Sequence, residues 1–136
     1  MLIEKIEIRP QYIHVLCSGT IEVEGFVLAL NRGLDTAASS GRKAVVMDAL
    51  KVEGTLSKAE RFVLGDDIAY AQRAHGFVAM IVVVADEPPL EAERFAEKVA
   101  INRGAVGKSF TDLSDAERWI EDHLTKFPGG VSPTNP

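Results

Sequence analysis

The stretch Ala44–Glu60, AVVMDALKVEGTLSKAE, constrains the fold more than any other part of the chain. Its apolar run Ala44–Met47 does not alternate with polar residues, so a strand there needs cover on both faces, as in a parallel sheet. Asp48 is expected to stop that strand. Beyond a loop containing Gly54, Ser57 and Glu60 have the S-x-x-E spacing of a capping box, whose side chains satisfy N–H groups left open at a helix start. Parallel α/β proteins carry their sites at the carboxyl ends of strands, so the loop and helix start from Glu53 to Lys58 are the first place to look for function.

The flanking segments repeat the theme. Leu2, Ile6 and Ile8 fall on one face of a strand, with Lys5, Glu7 and Arg9 on the other; after Pro10-Gln11, Ile13, Val15 and Cys17 share a face in turn. Two half-buried strands joined by a tight turn predict an antiparallel pair at a sheet edge. Val23, Phe26, Val27, Leu30, Leu34 and Ala38 recur at helical spacing, and Ser40-Gly41 closes that helix. A helix from Ser57 to Ala74 carries Gly65, which costs ~1 kcal/mol against alanine in a helix interior. Gly65 therefore implies either close packing or a break before Asp66-Asp67. Phe77–Ala85, the most apolar segment, is expected to be the central strand. Asp86-Glu87-Pro88-Pro89 turns the chain, Leu90–Arg103 forms a helix capped by Gly104, and Val106–Thr111 is a short last strand. Ser114 and Glu117 predict a second capping box, for a helix burying Ala116, Trp119, Ile120 and Leu124. The order β-β-α-β-α-β-α-β-α implies an α/β fold with a mainly parallel sheet, an antiparallel N-terminal edge strand and four helices.

Composition narrows the classes of function. A chain of 136 residues is one domain by length, with 46% hydrophobic and 26% charged residues, as in an ordinary globular protein. The domain is placed over residues 1–127, with a disordered tail rich in Pro and Gly over 128–136. A net charge of -5, without a cluster of Lys and Arg, argues against a nucleic-acid partner. The longest apolar run, Phe77–Ala85, is too short to span a bilayer, and MLIEKIEIRP has no apolar core for a signal peptide. The single Cys17 excludes an internal disulfide and fits a reducing, cytoplasmic compartment.

The candidate chemistries are sparse. Gly107-Lys108-Ser109 lacks the glycine of a phosphate loop five positions earlier, where Asn102 stands, and its helix and strand come in the wrong order. Asp48, Glu53, Asp86 and Glu87 could gather at the sheet's carboxyl edge around a magnesium ion, but carboxylates at strand ends are usually solvated. His14, His75 and His123 have no partner at metal-ligand spacing, and His75 suits its helix's C-terminal dipole. Cys17 alternates inward with Ile13 and Val15, which predicts an inert buried thiol. No nucleophile elbow or dinucleotide loop is visible. Neither an enzyme nor a metal or cofactor is expected.

Three places resemble a known family. Gly19-Thr20-Ile21-Glu22 is similar to the G-x-L-D that precedes the first helix of STAS domains, the fold of bacterial anti-sigma-factor antagonists. Asp48 with Val52 resembles the end of that family's central strand, and Phe110, Asp115-Ala116 and Ile120 resemble its last strand and helix. The similarity covers Leu2 to Leu124 and implies a βα superhelix with an extra N-terminal edge strand. It also implies a non-enzymatic regulatory module that acts by protein–protein contact, with an anti-sigma-factor-like kinase as one kind of partner and self-association left open. The family's phosphorylated serine falls on Ser57, while Leu56 stands in place of its preceding aspartate and Ala59 in place of its glycine. Thr55, Leu56 and Ser57 are thus the expected partner-binding residues, with Ser57 as the phosphosite position and Leu56 as an exposed apolar contact. The alternative implied by STAS-like relatives is a carrier or sensor holding a small apolar ligand or lipid between sheet and helices.

Overall fold

A computed structural model describes residues 1–86 and 89–128, with the side chains of 89–93 left aside. The expected turn at Glu87-Pro88 and the tail over 129–136 lie outside the described residues. The elements run β1 (Leu2–Ile8), β2 (Ile13–Thr20), α1 (Val23–Ser40), β3 (Ala44–Glu53), α2 (Lys58–Ala74), β4 (Met80–Val84), α3 (Pro89–Asn102), β5 (Gly107–Phe110) and α4 (Leu113–Lys126). They form an α/β domain around a five-stranded mixed sheet whose spatial order, β1-β2-β3-β4-β5, is the chain order. β1 pairs antiparallel with β2, and every other neighbouring pair is parallel.

Alternation along the strands divides the interior in two. Val45, Met47, Ile81 and Val83 point to the larger core, with Ile13, Val15 and Cys17 of β2, and meet α1, α2 and α3 through residues such as Phe26, Leu30, Leu64 and Ala96. Ala44, Val46, Met80, Val82 and Val84 point the other way and meet Ala116 and Ile120 of α4. The double cover that the run Ala44–Met47 demanded is therefore supplied by helices on opposite sides.

Three expectations are corrected. β3, not β4, is the middle strand. The apolarity of Phe77–Ala85 reports cover on both faces, which β3 and β4 share, and so does not rank them. Phe77 itself lies in the turn before β4, with a left-handed φ of 55°. β3 does not stop at Asp48 but continues to Glu53, because the aspartate finds a partner inside the sheet. β1 carries an irregularity in register between Ile3 and Lys5, which moves Ile3 onto the core face beside Ile6. Leu2 is left exposed on the other face by that extra residue, while Ile8 keeps the face of Ile6 and is exposed at the end of the edge strand.

The last helix also starts differently. Its N-cap is Asp112, whose carboxylate accepts from the Ser114 N–H at 2.6 Å and the Asp115 N–H at 3.4 Å. Glu117, expected to close a capping box with Ser114, instead accepts from the Tyr12 hydroxyl at 2.8 Å. Ala116 and Ile120 are buried as expected, while Trp119 and Leu124 are only partly so. At the first helix, Gly41 takes φ 75° and donates its N–H to Ala37, which is the expected left-handed cap. His75 ends α2 and, beyond the Ala71 carbonyl at 2.9 Å, reaches Asp35 of α1 at 2.9 Å.

Gly65 settles into the first of its two readings. Helix α2 is continuous through it, and a Cβ there would strike the Ala96 carbonyl and come within 2.7 Å of the Val99 Cβ. The missing side chain lets α2 and α3 approach closely. Gly65→Ala should therefore lower stability by about 1–3 kcal/mol through overpacking, despite the gain in helix propensity. Urea unfolding measures it, and a stabilised variant would show that the two helices do not meet at this point.

Candidate functional site

β2 and β3 end side by side at the edge of the sheet where their chains leave for α1 and α2. Thr20 pairs with Glu53 there, and the Ile21 N–H extends the ladder by one bond, to the Glu53 carbonyl at 2.8 Å. Gly54 then turns the chain with φ 91°. Ser57 is extended, at φ -67° and ψ 165°, and caps α2. Its hydroxyl accepts from the Glu60 N–H at 3.2 Å, and its own N–H donates to the Glu60 carboxylate at 2.9 Å. Both bonds of the predicted capping box are present. The bond from the Ser57 N–H holds the Glu60 carboxyl below its usual range.

The expected contact residues part company. Thr55 and Ser57 are exposed at this loop. Leu56 is not: it is 3% exposed and belongs to the larger core, with its carbonyl tied to the Arg61 side chain at 3.1 Å. An exposed apolar contact at Leu56 is thereby corrected. Inserting Leu56 under the loop fixes Thr55 and Ser57 on either side of it.

Beside the loop, the starts of α1 and α2 enclose an open groove of about 510 Å³, lined by Glu22, Val23, Glu24, Ala59, Glu60, Val63 and Asp67. Val63 is 46% exposed in it. Burial and the neighbouring Asp66 charge raise the Asp67 carboxyl above its ordinary value. No local pattern in the sequence marks this groove. Its residues come from two helices distant in the chain, and the acidic residues look like ordinary first-turn partners of the helix dipole.

Among the described residues the acidic edge does not assemble, and Glu87 lies outside them. Asp48 turns onto the α4 side of the sheet and is buried, while Glu53 and Asp86 are exposed. No metal-holding group of three such side chains exists among the described residues. Asp48 instead pairs with His14, its Oδ2 lying 2.8 Å from Nε2, and its Oδ1 accepts from the Leu50 N–H at 3.2 Å. The partners come from adjacent strands: His14 sits opposite Val46, and Asp48 two residues further along β3. Two alternating positions on one face are the only signal in the sequence, and they required the register to be known. The other imidazole nitrogen faces Arg9 at 3.5 Å and Glu7 at 3.9 Å. Burial pushes the Asp48 carboxyl up, but the bonds from His14 and from the Leu50 N–H outweigh it and hold the group below its ordinary value. Cys17 lies on the opposite face, where burial raises its thiol to about 11. It cannot serve this pair as a nucleophile.

A cavity of about 30 Å³ lies between β4, β5 and the helices α2 and α3, lined by Ile68, Ile81, Val83 and Ala100 among others. At its rim Glu97 accepts from the Ser109 N–H at 2.6 Å. Sites for drug-sized ligands measure roughly 300–1,000 Å³. This one holds little more than a water molecule. No helix among the described residues is long and apolar enough to cross a membrane. Compared with known proteins, the chain matches no family model and no curated sequence.

Two outcomes check the placement of these residues. Leu56→Asp should cost at least about 3 kcal/mol, since it removes a core side chain and buries a charge in its place; an unchanged melting temperature would return Leu56 to the surface. For Asp48 the folded pKa is depressed, so its contribution is present above the unfolded value of about 4 and is lost as pH falls through the folded one. Asp48→Asn should lower stability at pH 7 by about 1–3 kcal/mol, with the gap to wild type closing below pH about 4. A gap that stays constant across guanidinium unfolding at both pH values would show that the charge is not what matters.

Proposed function

We propose that this protein is a non-enzymatic, STAS-like regulatory module that works by docking on another protein through the strand-end surface around Thr55 and Ser57. The observation that carries the reading is the groove at the starts of α1 and α2, where Val23, Ala59 and Val63 form an apolar lining beside those two exposed residues. The resemblance of Gly19–Glu22 and of the loop before α2 to the STAS pattern puts a partner contact at the same end of the fold. A reducing, cytoplasmic setting suits the lone buried Cys17.

Ser57 acts in this proposal as a structural cap. A phosphate on its hydroxyl would compete with the Glu60 carboxylate for the N–H groups at the helix start, and the two like charges would repel. The docking surface therefore works without a phosphate. Its partner can be a kinase-like regulator, as the family resemblance implies, without Ser57 being the substrate.

A photo-crosslinking amino acid placed at Thr55 tests the proposal in cells, with the same group at exposed Thr125 of α4 as control. A discrete protein adduct from position 55 alone is expected. An adduct only from position 125 would overturn the docking surface. Ser57→Ala should lose about 1 kcal/mol of stability through the missing cap yet keep the adduct. Stoichiometric phosphate on Ser57 in the native protein would replace the structural role with a switch.

A further inference from the structure

We infer that the groove between α1 and α2 takes a cationic amphipathic segment of a partner protein, with Lys or Arg flanking a single aliphatic or aromatic anchor. This rests on the docking reading above and names the partner's chemistry. Of the seven residues that line the groove, Glu22, Glu24, Glu60 and Asp67 are carboxylates, and the other three are apolar. No basic side chain lines it.

The acidic lining exceeds what the helices themselves use. Glu24 and Glu60 stand in first turns, where carboxylates favour the positive end of the helix dipole. Glu60 also spends its charge on the Ser57 N–H, and Glu22 faces the Met1 ammonium group at 3.2 Å. Asp67 is different. It lies in the middle of α2, far from the dipole's positive end, and its carboxyl is raised by burial and by Asp66. Asp66 in turn pairs with Arg103, just past the end of α3, at 2.6 Å and so is turned toward the other flank of the helix. A cation seated in the groove would relieve Asp67 and meet Glu24 at the same time.

The apolar part is equally specific. Val63 is 46% and Tyr70 65% exposed, and with Ala59 they follow one another at i, i+4 and i+11 along α2. This spacing puts them on one outer stripe, opposite the buried Leu64, Ile68, Ala71 and Gln72. At its start α2 thus carries an apolar patch, Ala59 and Val63, on the face away from the core and open to solvent, before Asp66 interrupts the stripe. A volume of about 510 Å³ has room for one or two partner side chains, and its carboxylates favour cationic ones. The same carboxylates repel a phosphate backbone or an anionic bilayer, and the net charge of -5 adds a long-range pull on a basic partner.

The experiment uses isotope-labelled full-length protein and two synthetic helical peptides with identical Leu positions, one carrying Lys and the other Glu at every polar position. The Lys peptide should shift the amide signals of Val23, Glu24, Ala59, Glu60, Val63 and Asp67, and its affinity should fall as salt is raised. The double variant Glu24→Lys with Asp67→Lys should weaken it by about tenfold or more and favour the Glu peptide. Val63→Ser, with all charges kept, should weaken it by about threefold or more, which a purely electrostatic attraction would not do. All three substituted positions are outside the core, and circular dichroism verifies the fold of each variant. Equal binding of both peptides, signal changes away from the groove, indifference to Val63→Ser, or no binding at all would each overturn the inference. A protein adduct from position 55 together with a failed peptide titration would remove the cationic partner while leaving the docking surface in place.

Discussion

Burial of β3 on both faces is the constraint from which the rest of the architecture follows. A strand whose neighbouring side chains point into separate cores cannot be stabilised by one layer of helices. Val45 and Met47 need α1 and α2 above them; Ala44 and Val46 need α4 below. α4 follows β4 and β5 in the chain, so the second core joins residues of the middle strands to a helix that comes after all five strands of the described residues. The domain is in this sense tied together by its C-terminal helix, and the Tyr12–Glu117 bond makes the tie explicit, joining the turn before β2 to α4. Burial and that bond push the Tyr12 hydroxyl up to about 12, so the donor stays protonated throughout the physiological range.

Two buried polar groups then select one register from those that apolar packing would tolerate. Gln72 on α2 is fully buried, and its amide donates to the carbonyls of Ala79 and Val106 while accepting from the Val106 N–H. The side chain bridges the entrances of β4 and β5 with each polar atom satisfied, as a buried amide requires. His14 and Asp48 do the same between β2 and β3 on the other face. A slip of one residue in β2 or β3 would turn His14 or Asp48 into the apolar core on the other face, and one in β4 or β5 would leave Gln72 buried without its backbone partners. These contacts contribute specificity at least as much as net stability, since burying charge is costly even when it is paired.

What could be read from the sequence was the part governed by neighbours in the chain. The Ser57–Glu60 box, the Gly41 cap, the inward face of Ile13, Val15 and Cys17, and the order of all nine elements depend on spacing over a few residues, and they stand as expected. The misreadings share a different cause. Ser114 and Glu117 have capping-box spacing, but Asp112 reaches the same N–H groups, and Glu117 is drawn to Tyr12, more than a hundred positions away. Asp48 looks like a strand terminator until His14 is seen beside it. β1 alternates on paper, and only the pairing with β2 reveals the irregularity that exchanges Leu2 for Ile3 on the core face. At the candidate site Thr55 and Ser57 are where the loop was expected to present them. Leu56 is not, because local pattern cannot say whether an apolar loop residue covers a core or lies open to a partner.

The burial of Leu56 changes how this end of the molecule can work. A loop anchored by a core side chain at its centre, by a capping box on one side and by the Ile21–Glu53 bond on the other has little freedom to reshape itself. In the docking reading proposed above, such a preformed surface would spare the ordering cost that a mobile loop incurs on binding. The complementary consequence falls on the interior. With Leu56, Val52 and Ile21 all packed into the larger core at its upper end, the space between sheet and helices is filled where a carrier would need it open. The remaining cavity of about 30 Å³ lies elsewhere, under α3. The same packing that holds the strand-end loop in place therefore works against an internal ligand at that end, and Leu56, standing where the STAS pattern has an aspartate, takes part in both.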